Sequence, residues 1–74
     1  RAGRGDRAAL LALERELVSV DVGGQTVSVK LARHEGTVVN AQPEYDDVAR
    51  AAIALGRPVA DVLAEATALA RKFL

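Results

Sequence analysis

The chain has 74 residues, and its ten lysines and arginines are balanced by ten aspartates and glutamates. A chain of this length forms one domain, and zero net charge argues against generic nucleic-acid binding, which needs a basic surface. The sequence has no cysteine and a single histidine, which excludes disulfides and the usual structural zinc sites within one chain. No apolar stretch approaches the roughly 20 residues of a membrane span, and no signal-peptide pattern opens the sequence. We therefore expect a cytoplasmic protein with no membrane partner.

The first part of the chain, residues 1–12, mixes arginines and glycines with a short apolar run. This composition is typical of a linker or of the end of an interrupted element. We predict that residues 1–12 are flexible or only partly ordered and that residues 13–74 form a single α+β domain. Residues 10–15 have helical propensity but lead straight into a strand pattern, so their structure is left open. Because no methionine opens the sequence, we expect a piece of a larger protein.

Alternating apolar residues predict a sheet in the first half of the domain. Valines at every second position of 16–22 indicate one half-buried strand, and the turn at Gly23–Gly24 leads to a second alternating run over 26–31. A further turn at 34–36 precedes the short β-branched run 37–40, which predicts a third strand. The three strands would form an antiparallel meander.

Two helices are predicted after the strands. Pro43 suits the first turn of a helix and is unsuited to a central strand, so we place a helix start there, and Gly56 would end this helix. Pro58 would open the second helix. Apolar residues at helical spacing predict the faces that these helices bury: Tyr45, Val48, Ala52 and Leu55 in the first, and Val59, Val62, Leu63, Ala66, Leu69, Ala70 and Phe73 in the second. The predicted fold is an α+β two-layer sandwich, compatible with part of a ferredoxin-like domain.

The densest polar segment runs from Asn40 to Asp47, at the junction between the third strand and the first helix. Glu44, Asp46 and Asp47, with the phenol of Tyr45, offer oxygen ligands suited to a hard divalent cation such as magnesium or manganese. The dipole of the first helical turn favours the same carboxylates without any ligand. Residue types alone leave both interpretations open.

Other candidate groups are sparser. Lys30 and Arg33 on the second strand are able to contact phosphates, although exposed strand charges more often face only solvent. His34 has no nucleophile at a motif spacing, so we do not expect hydrolytic catalysis by this chain alone.

An ordered series of motifs resembles the C-terminal region of the LarC family of nickel insertases. The motifs are V-S-V-K at 27–30, V-N-A-Q-P-E-Y-D-D at 39–47 and G-R-P-V-A-D-V at 56–62, and the likeness covers about residues 13–70. The resemblance implies a parent protein of the nickel chelatase or insertase (lyase) class. Such a protein uses CTP while delivering nickel to pyridinium-3,5-bisthiocarboxylic acid mononucleotide, the nickel-pincer cofactor precursor of lactate racemase.

The same resemblance implies that this region binds CTP and forms homo-oligomers. Lys30 would contact the triphosphate, and Asn40 and Tyr45 would position the nucleotide. The manganese or magnesium ion that accompanies CTP would be held by three carboxylates: Glu44, Asp46 and Asp47.

The chain also departs from the whole family protein. The N-terminal part, where histidine-rich nickel chemistry is expected, is not included, so we do not expect nickel insertion by this chain without that partner. An open sheet edge would then be covered by another copy or by the missing part. The alternative interpretation is a structural oligomerisation domain with no ligand of its own, in which the alanine-rich helices make the subunit contacts.

Overall fold

The computed structural model of the protein describes residues 13–74, so the prediction for residues 1–12 lies outside the described residues. The elements are β1 (Glu14–Val22), β2 (Gln25–His34), β3 (Thr37–Pro43), α1 (Tyr45–Leu55) and α2 (Val59–Ala70), followed by a 3₁₀ turn (Arg71–Phe73). The strands form one antiparallel sheet in the order β1-β2-β3. Both helices pack on the same face of this sheet, which confirms the predicted α+β meander. Neither helix is long and apolar enough to cross a membrane within this part of the chain.

The β1–β2 hairpin follows directly from its sequence. The two strands pair without a break in register, and Gly23 and Gly24 connect them with φ angles of 58° and 90°. Two successive residues with positive φ match the right-handed twist of the strands that they join, and glycine adopts this conformation without strain. The β2–β3 ladder differs, because its register shifts between Ala32 and Arg33.

The core lies between the sheet and the helices and consists of small side chains. The alternation in the strands and the 3.6-residue period in the helices bring them together, as predicted. The fully buried residues of this core are Val22, Val27, Val29, Leu31, Val48, Ala51, Val62, Ala66 and Ala70. Most of the helical members are alanines, whose small side chains permit a close approach between helix and sheet.

Two residues of the predicted helix faces are exposed instead. Tyr45 is 60% exposed, because it is the first residue of α1 and stands at the sheet border before the helix crosses the core. Leu63 is 36% exposed, because the row of Val62, Ala66 and Ala70 fills the narrow contact with the sheet. The predictions for Tyr45 and Leu63 were therefore wrong.

The start of α1 also differs from the prediction. Pro43 is the last residue of β3, opposite Val29, and the helix begins at Tyr45 with Glu44 at its N-cap. β3 therefore continues beyond Asn40, where the prediction ended it. A proline is tolerated here because β3 lies at an edge of the described sheet, where its missing N–H removes no ladder hydrogen bond.

A carboxylate fastens α1 to the middle strand. After Pro43, the N–H of Glu44 donates to the carbonyl of Ser28 at 2.8 Å, and the N–H of Ser28 donates to Oδ2 of Asp47 at 2.8 Å. The Asp47 side chain thus accepts the hydrogen bond that the carbonyl of a further β3 residue would otherwise accept. Its other oxygen, Oδ1, lies 2.9 Å from the guanidinium of Arg50. The hydrogen bonds from Ser28 and the neighbouring Arg50 hold the pKa of Asp47 below its usual value.

The core position of Leu31 gives a first prediction. Leu31→Ala is expected to lower the free energy of unfolding by about 2–5 kcal/mol, because the shorter side chain leaves a cavity between the sheet and α2. Urea denaturation followed by circular dichroism measures this loss. Ile53→Ala on the exposed side of α1 is the control and is expected to change stability by no more than about 0.5 kcal/mol. Equal losses would contradict the position of the core.

The Asp47 contact gives a second prediction. Asp47→Ala is expected to cost about 1–3 kcal/mol of unfolding free energy at neutral pH, because the Ser28 N–H loses its charged acceptor. Asp46→Ala removes a carboxylate from the same helical turn and is expected to cost under about 1 kcal/mol. The same urea titration compares them, and a larger loss for Asp46→Ala would contradict the role given to Asp47.

The lowered pKa of Asp47 predicts acid-dependent stability. The charged carboxylate contributes fully above its unfolded-state pKa of about 3.9, and this contribution is lost as the pH falls through the lower, folded-state pKa. Asp47→Asn keeps an acceptor oxygen but does not titrate, so its unfolding free energy should fall less steeply than that of the wild type below about pH 4. Urea midpoints across this range measure the difference, and parallel curves would count against the mechanism.

Candidate functional site

The face of the sheet opposite the helices brings two of the predicted nucleotide-contacting residues together. Lys30 on β2 and Asn40 on β3 line one hollow of about 280 Å³, together with Arg15 on β1 and Gln42 on β3. The register explains this grouping, because Gln42 lies opposite Lys30, while Arg15 and Asn40 flank Ala32 from its two sides. Residues at alternate positions of paired strands share a face. The hollow therefore combines two cations with two amides.

Lys30 is held by an exposed ion pair. Its Nζ lies 3.3 Å from Oε2 of Glu44, and the two side chains are 60% and 35% exposed. An ion pair this open to water contributes little stability, so an anion that reaches Lys30 replaces Glu44 at low cost. Glu44 itself makes no side-chain hydrogen bond to the helix that it precedes.

The three predicted metal-binding carboxylates have different surroundings. Glu44 pairs with Lys30, Asp46 is exposed in the first turn of α1, and both oxygens of Asp47 are engaged by Ser28 and Arg50. Within residues 13–74, no three histidine or carboxylate side chains form a group that could hold a metal ion. The carboxylates therefore do not fit a preformed three-ligand site, and their assignment to a metal stays a prediction.

Tyr45 and Arg33 lie away from the hollow. Tyr45 is exposed at the start of α1 and is not among the residues that line it. Arg33 forms an ion pair with Glu16, with nitrogen–oxygen distances of 3.0 Å, and its guanidinium also donates to the carbonyl of Gly36 at 3.4 Å. This exposed pair links β1 and β2 at the far end of the hairpin, and we assign Arg33 no ligand.

Arg15 and Gln42 were not predicted as site residues. Arg15 is separated from Lys30 by fourteen intervening residues. Only the pairing of β1 with β2 and of β2 with β3 brings Arg15 and Gln42 to the same hollow. The alternation of outward-facing residues on all three strands was the available signal, once the register was known.

Comparison with known proteins gives a consistent result. The family model described as nickel insertion protein matches residues 4–63. A pyridinium-3,5-bisthiocarboxylic acid mononucleotide nickel insertion protein from Nocardioides sp. (strain ATCC BAA-499 / JS614) is 76% identical over 63 residues, which are 85% of this chain. A protein of the same description from Geobacillus kaustophilus (strain HTA426) is 42% identical over 60 residues, or 81% of the chain.

These matches cover only a small part of the relatives. The aligned segment is 16% of the Nocardioides protein and 15% of the Geobacillus protein. No solved structure matches the chain. The family model covers most of this chain, and the sequence identities to both relatives are high. The chain therefore belongs to the nickel insertion protein family.

Proposed function

We propose that this chain is the CTP-binding and assembly part of a protein that inserts nickel into pyridinium-3,5-bisthiocarboxylic acid mononucleotide. Membership of the nickel insertion family supports nickel as the metal that the whole protein transfers. The remaining part of the protein would act as the partner that holds nickel, and both would work in the cytoplasm. The observation that carries the nucleotide assignment is the hollow that groups Arg15, Lys30, Asn40 and Gln42.

The side chains of the hollow suit a nucleoside triphosphate. Arg15 offers a planar fork of N–H donors and Lys30 a compact positive charge, and both are well matched to phosphate oxygens. Asn40 and Gln42 both donate and accept hydrogen bonds, which suits the polar edge of a base or the hydroxyls of a ribose. Tyr45 would contact the nucleotide only from the border of the sheet, next to Glu44.

Phosphate binding at Lys30 has a consequence for Glu44. The Nζ of Lys30 lies 3.3 Å from Oε2 of Glu44. Once Lys30 pairs with phosphate instead, the Glu44 carboxylate is left without a neighbouring cation. A magnesium or manganese ion on the phosphates would supply this charge and neutralise the triphosphate. Glu44 and exposed Asp46 would hold the ion, whereas Asp47 joins only by giving up its bond to Ser28.

A structural assembly domain without a ligand is the second candidate. The outward face of α2 favours it, because a hollow of about 520 Å³ on this face is lined mainly by small and apolar residues: Ala60, Leu63, Ala64, Thr67, Ala68 and Arg71. Exposed apolar surface of this kind marks contacts with other proteins. This candidate predicts assembly with no nucleotide preference.

Titration calorimetry separates the two candidates. CTP is titrated into the purified chain with and without manganese, and ATP serves as the competing nucleotide. We expect saturable binding of CTP that requires manganese and exceeds the binding of ATP. A folded, assembled sample that releases no heat with either nucleotide would contradict the nucleotide assignment.

Substitutions in the hollow test which residues carry binding. Lys30→Ala and Arg15→Ala are each expected to weaken CTP binding at least about tenfold, since each removes charge-assisted hydrogen bonds to phosphate. Lys72→Ala removes an exposed lysine of the 3₁₀ turn and should leave the affinity unchanged. Equal affinities for Lys30→Ala, Lys72→Ala and the wild type would place the phosphates elsewhere.

A substitution at Glu44 tests the metal dependence of CTP binding. Glu44→Gln removes the carboxylate charge without changing the size of the side chain, so it is expected to reduce the affinity for CTP that is gained on adding manganese. Glu35→Gln, in the exposed turn between β2 and β3, is the matched control. An unchanged manganese effect in Glu44→Gln would remove Glu44 from the metal site.

A further inference from the structure

The outer edge of β1 has unpaired backbone groups within residues 13–74. The N–H and the carbonyl of Ser28 both bond on the α1 side, to Asp47 and Glu44. Since backbone polar groups alternate between the two sides of an antiparallel strand, Ser19, which lies opposite Ser28, directs its own groups away from β2. The residues of β1 with this orientation are Arg15, Leu17, Ser19 and Asp21.

The same edge carries an exposed apolar side chain. Leu17 lies near the middle of β1 and is 64% exposed, and it lines a shallow hollow with Arg15, Glu16 and Lys30. Folded proteins usually protect a long strand edge, because unpaired N–H and carbonyl groups template pairing with another chain. A nine-residue edge with a leucine near its middle is suited to such pairing.

We infer that this edge pairs with the β1 edge of a second copy, antiparallel and about a two-fold axis at Val18. The inference rests on the proposed assembly role and names its surface. In this register Arg15 lies opposite the partner's Asp21, and Leu17 lies opposite the partner's Ser19. The two-fold axis repeats each pair, and the two sheets become one sheet of six strands.

Charge selects this register over its neighbours. The alternation of free backbone groups allows the two-fold axis at Leu17, Val18 or Ser19. An axis at Leu17 would place Arg15 opposite a serine, and an axis at Ser19 would place Leu17 opposite an aspartate. Only the axis at Val18 gives two ion pairs and brings the two leucines diagonally together on one face.

Both charged groups are available for the pairing. Within the described part of the chain, Arg15 forms no ion pair, whereas Lys30, Arg33, Arg50 and Arg57 each form one. Asp21 accepts one hydrogen bond through Oδ2, from the N–H of Gly24 at 3.3 Å, and its Oδ1 is left for the partner's Arg15.

The register also brings the nucleotide hollows of the two copies together. Arg15 lines the hollow and lies at the seam between the copies. The two hollows would share one face of the six-stranded sheet, on either side of the axis. Each Arg15 would then lie between the partner's Asp21 and the hollow of its own chain.

Mixing two charge-reversed variants tests this arrangement on the full 74-residue chain. The wild type is expected to form dimers by native mass spectrometry and sedimentation at about 100 µM, a concentration that detects weak association. Arg15→Asp and Asp21→Arg should each weaken the dimer at least tenfold, because each places like charges opposite one another twice. An equimolar mixture should restore a dimer that contains one copy of each, since both contacts are then complementary.

Three controls keep the result specific. Circular dichroism checks that every variant is folded. Glu35→Arg reverses a charge in the exposed β2–β3 turn and should leave the dimer intact. Ala64→Glu on the outward face of α2 should also leave it intact, so loss of the dimer in Ala64→Glu alone would show that the copies meet through α2 and would overturn the inference.

Other results would also overturn it. A wild type that stays monomeric would mean that no second copy pairs with β1, and a mixture that stays monomeric would refute the register. CTP titration of the wild type separates failure of the pairing from failure of the proposed function, and Asp21→Arg, which lies outside the hollow, should bind CTP as a monomer. Metal-dependent CTP binding by a wild type that stays monomeric would refute only the β1 pairing, whereas a wild-type dimer without CTP binding would refute only the nucleotide site.

Discussion

The backbone of Ser28 is the point on which the rest of the arrangement depends. Its carbonyl accepts the last strand-like hydrogen bond, from the N–H of Glu44, and its own N–H donates to the Asp47 side chain. A helical side chain thus completes a β-ladder, so β3 can end and α1 can begin without an unsatisfied backbone group on β2. Because α1 is fixed at this position, both helices cover one face of the sheet and leave the other face open.

The charged side chains of this chain differ in the contacts that they make. Asp47 is tied to the fold by Ser28 and Arg50, and Arg33 and Glu16 tie the far end of the hairpin. Removing the Asp47 side chain leaves the N–H of Ser28 without its acceptor. The pairs of Arg33 with Glu16 and of Lys30 with Glu44 are both exposed and contribute little stability, so a ligand can use Lys30 without disturbing the fold. The acidic segment therefore contains both kinds of carboxylate, although their sequence context looks alike.

The sequence predicted those features that depend on local periodicity. The alternating valines and the two glycines between β1 and β2 specify the hairpin, because both are properties of neighbouring residues. The start of α1 was misplaced because Pro43 is compatible with a first helical turn and with an edge strand, and only the bonds to Ser28 decide between them. Tyr45 has helical spacing but stands outside the area that the sheet covers.

The candidate site shows the same limit more strongly. Lys30 was singled out by its charge and, together with Asn40, by a motif resemblance, whereas Arg15 and Gln42 join them only through the register of three strands. The division among Glu44, Asp46 and Asp47 depends on distances to Ser28, Arg50 and Lys30, which no spacing in the sequence encodes. Residue types predict the candidate chemistry, but only the tertiary pairing determines which of these side chains are engaged by other residues.

The small size of the domain connects its two proposed roles. Its core is built mainly from valine and alanine, and a short chain of this kind buries a limited fraction of its surface. A sheet that is covered on only one side has a long edge and an open face, and both gain from further contacts. Pairing at β1 would extend the sheet and place Arg15 at the seam, so that the surface joining two copies continues into the surface proposed to bind phosphate. Assembly would then use the free edge, and ligand binding the adjoining open face, of one three-stranded sheet.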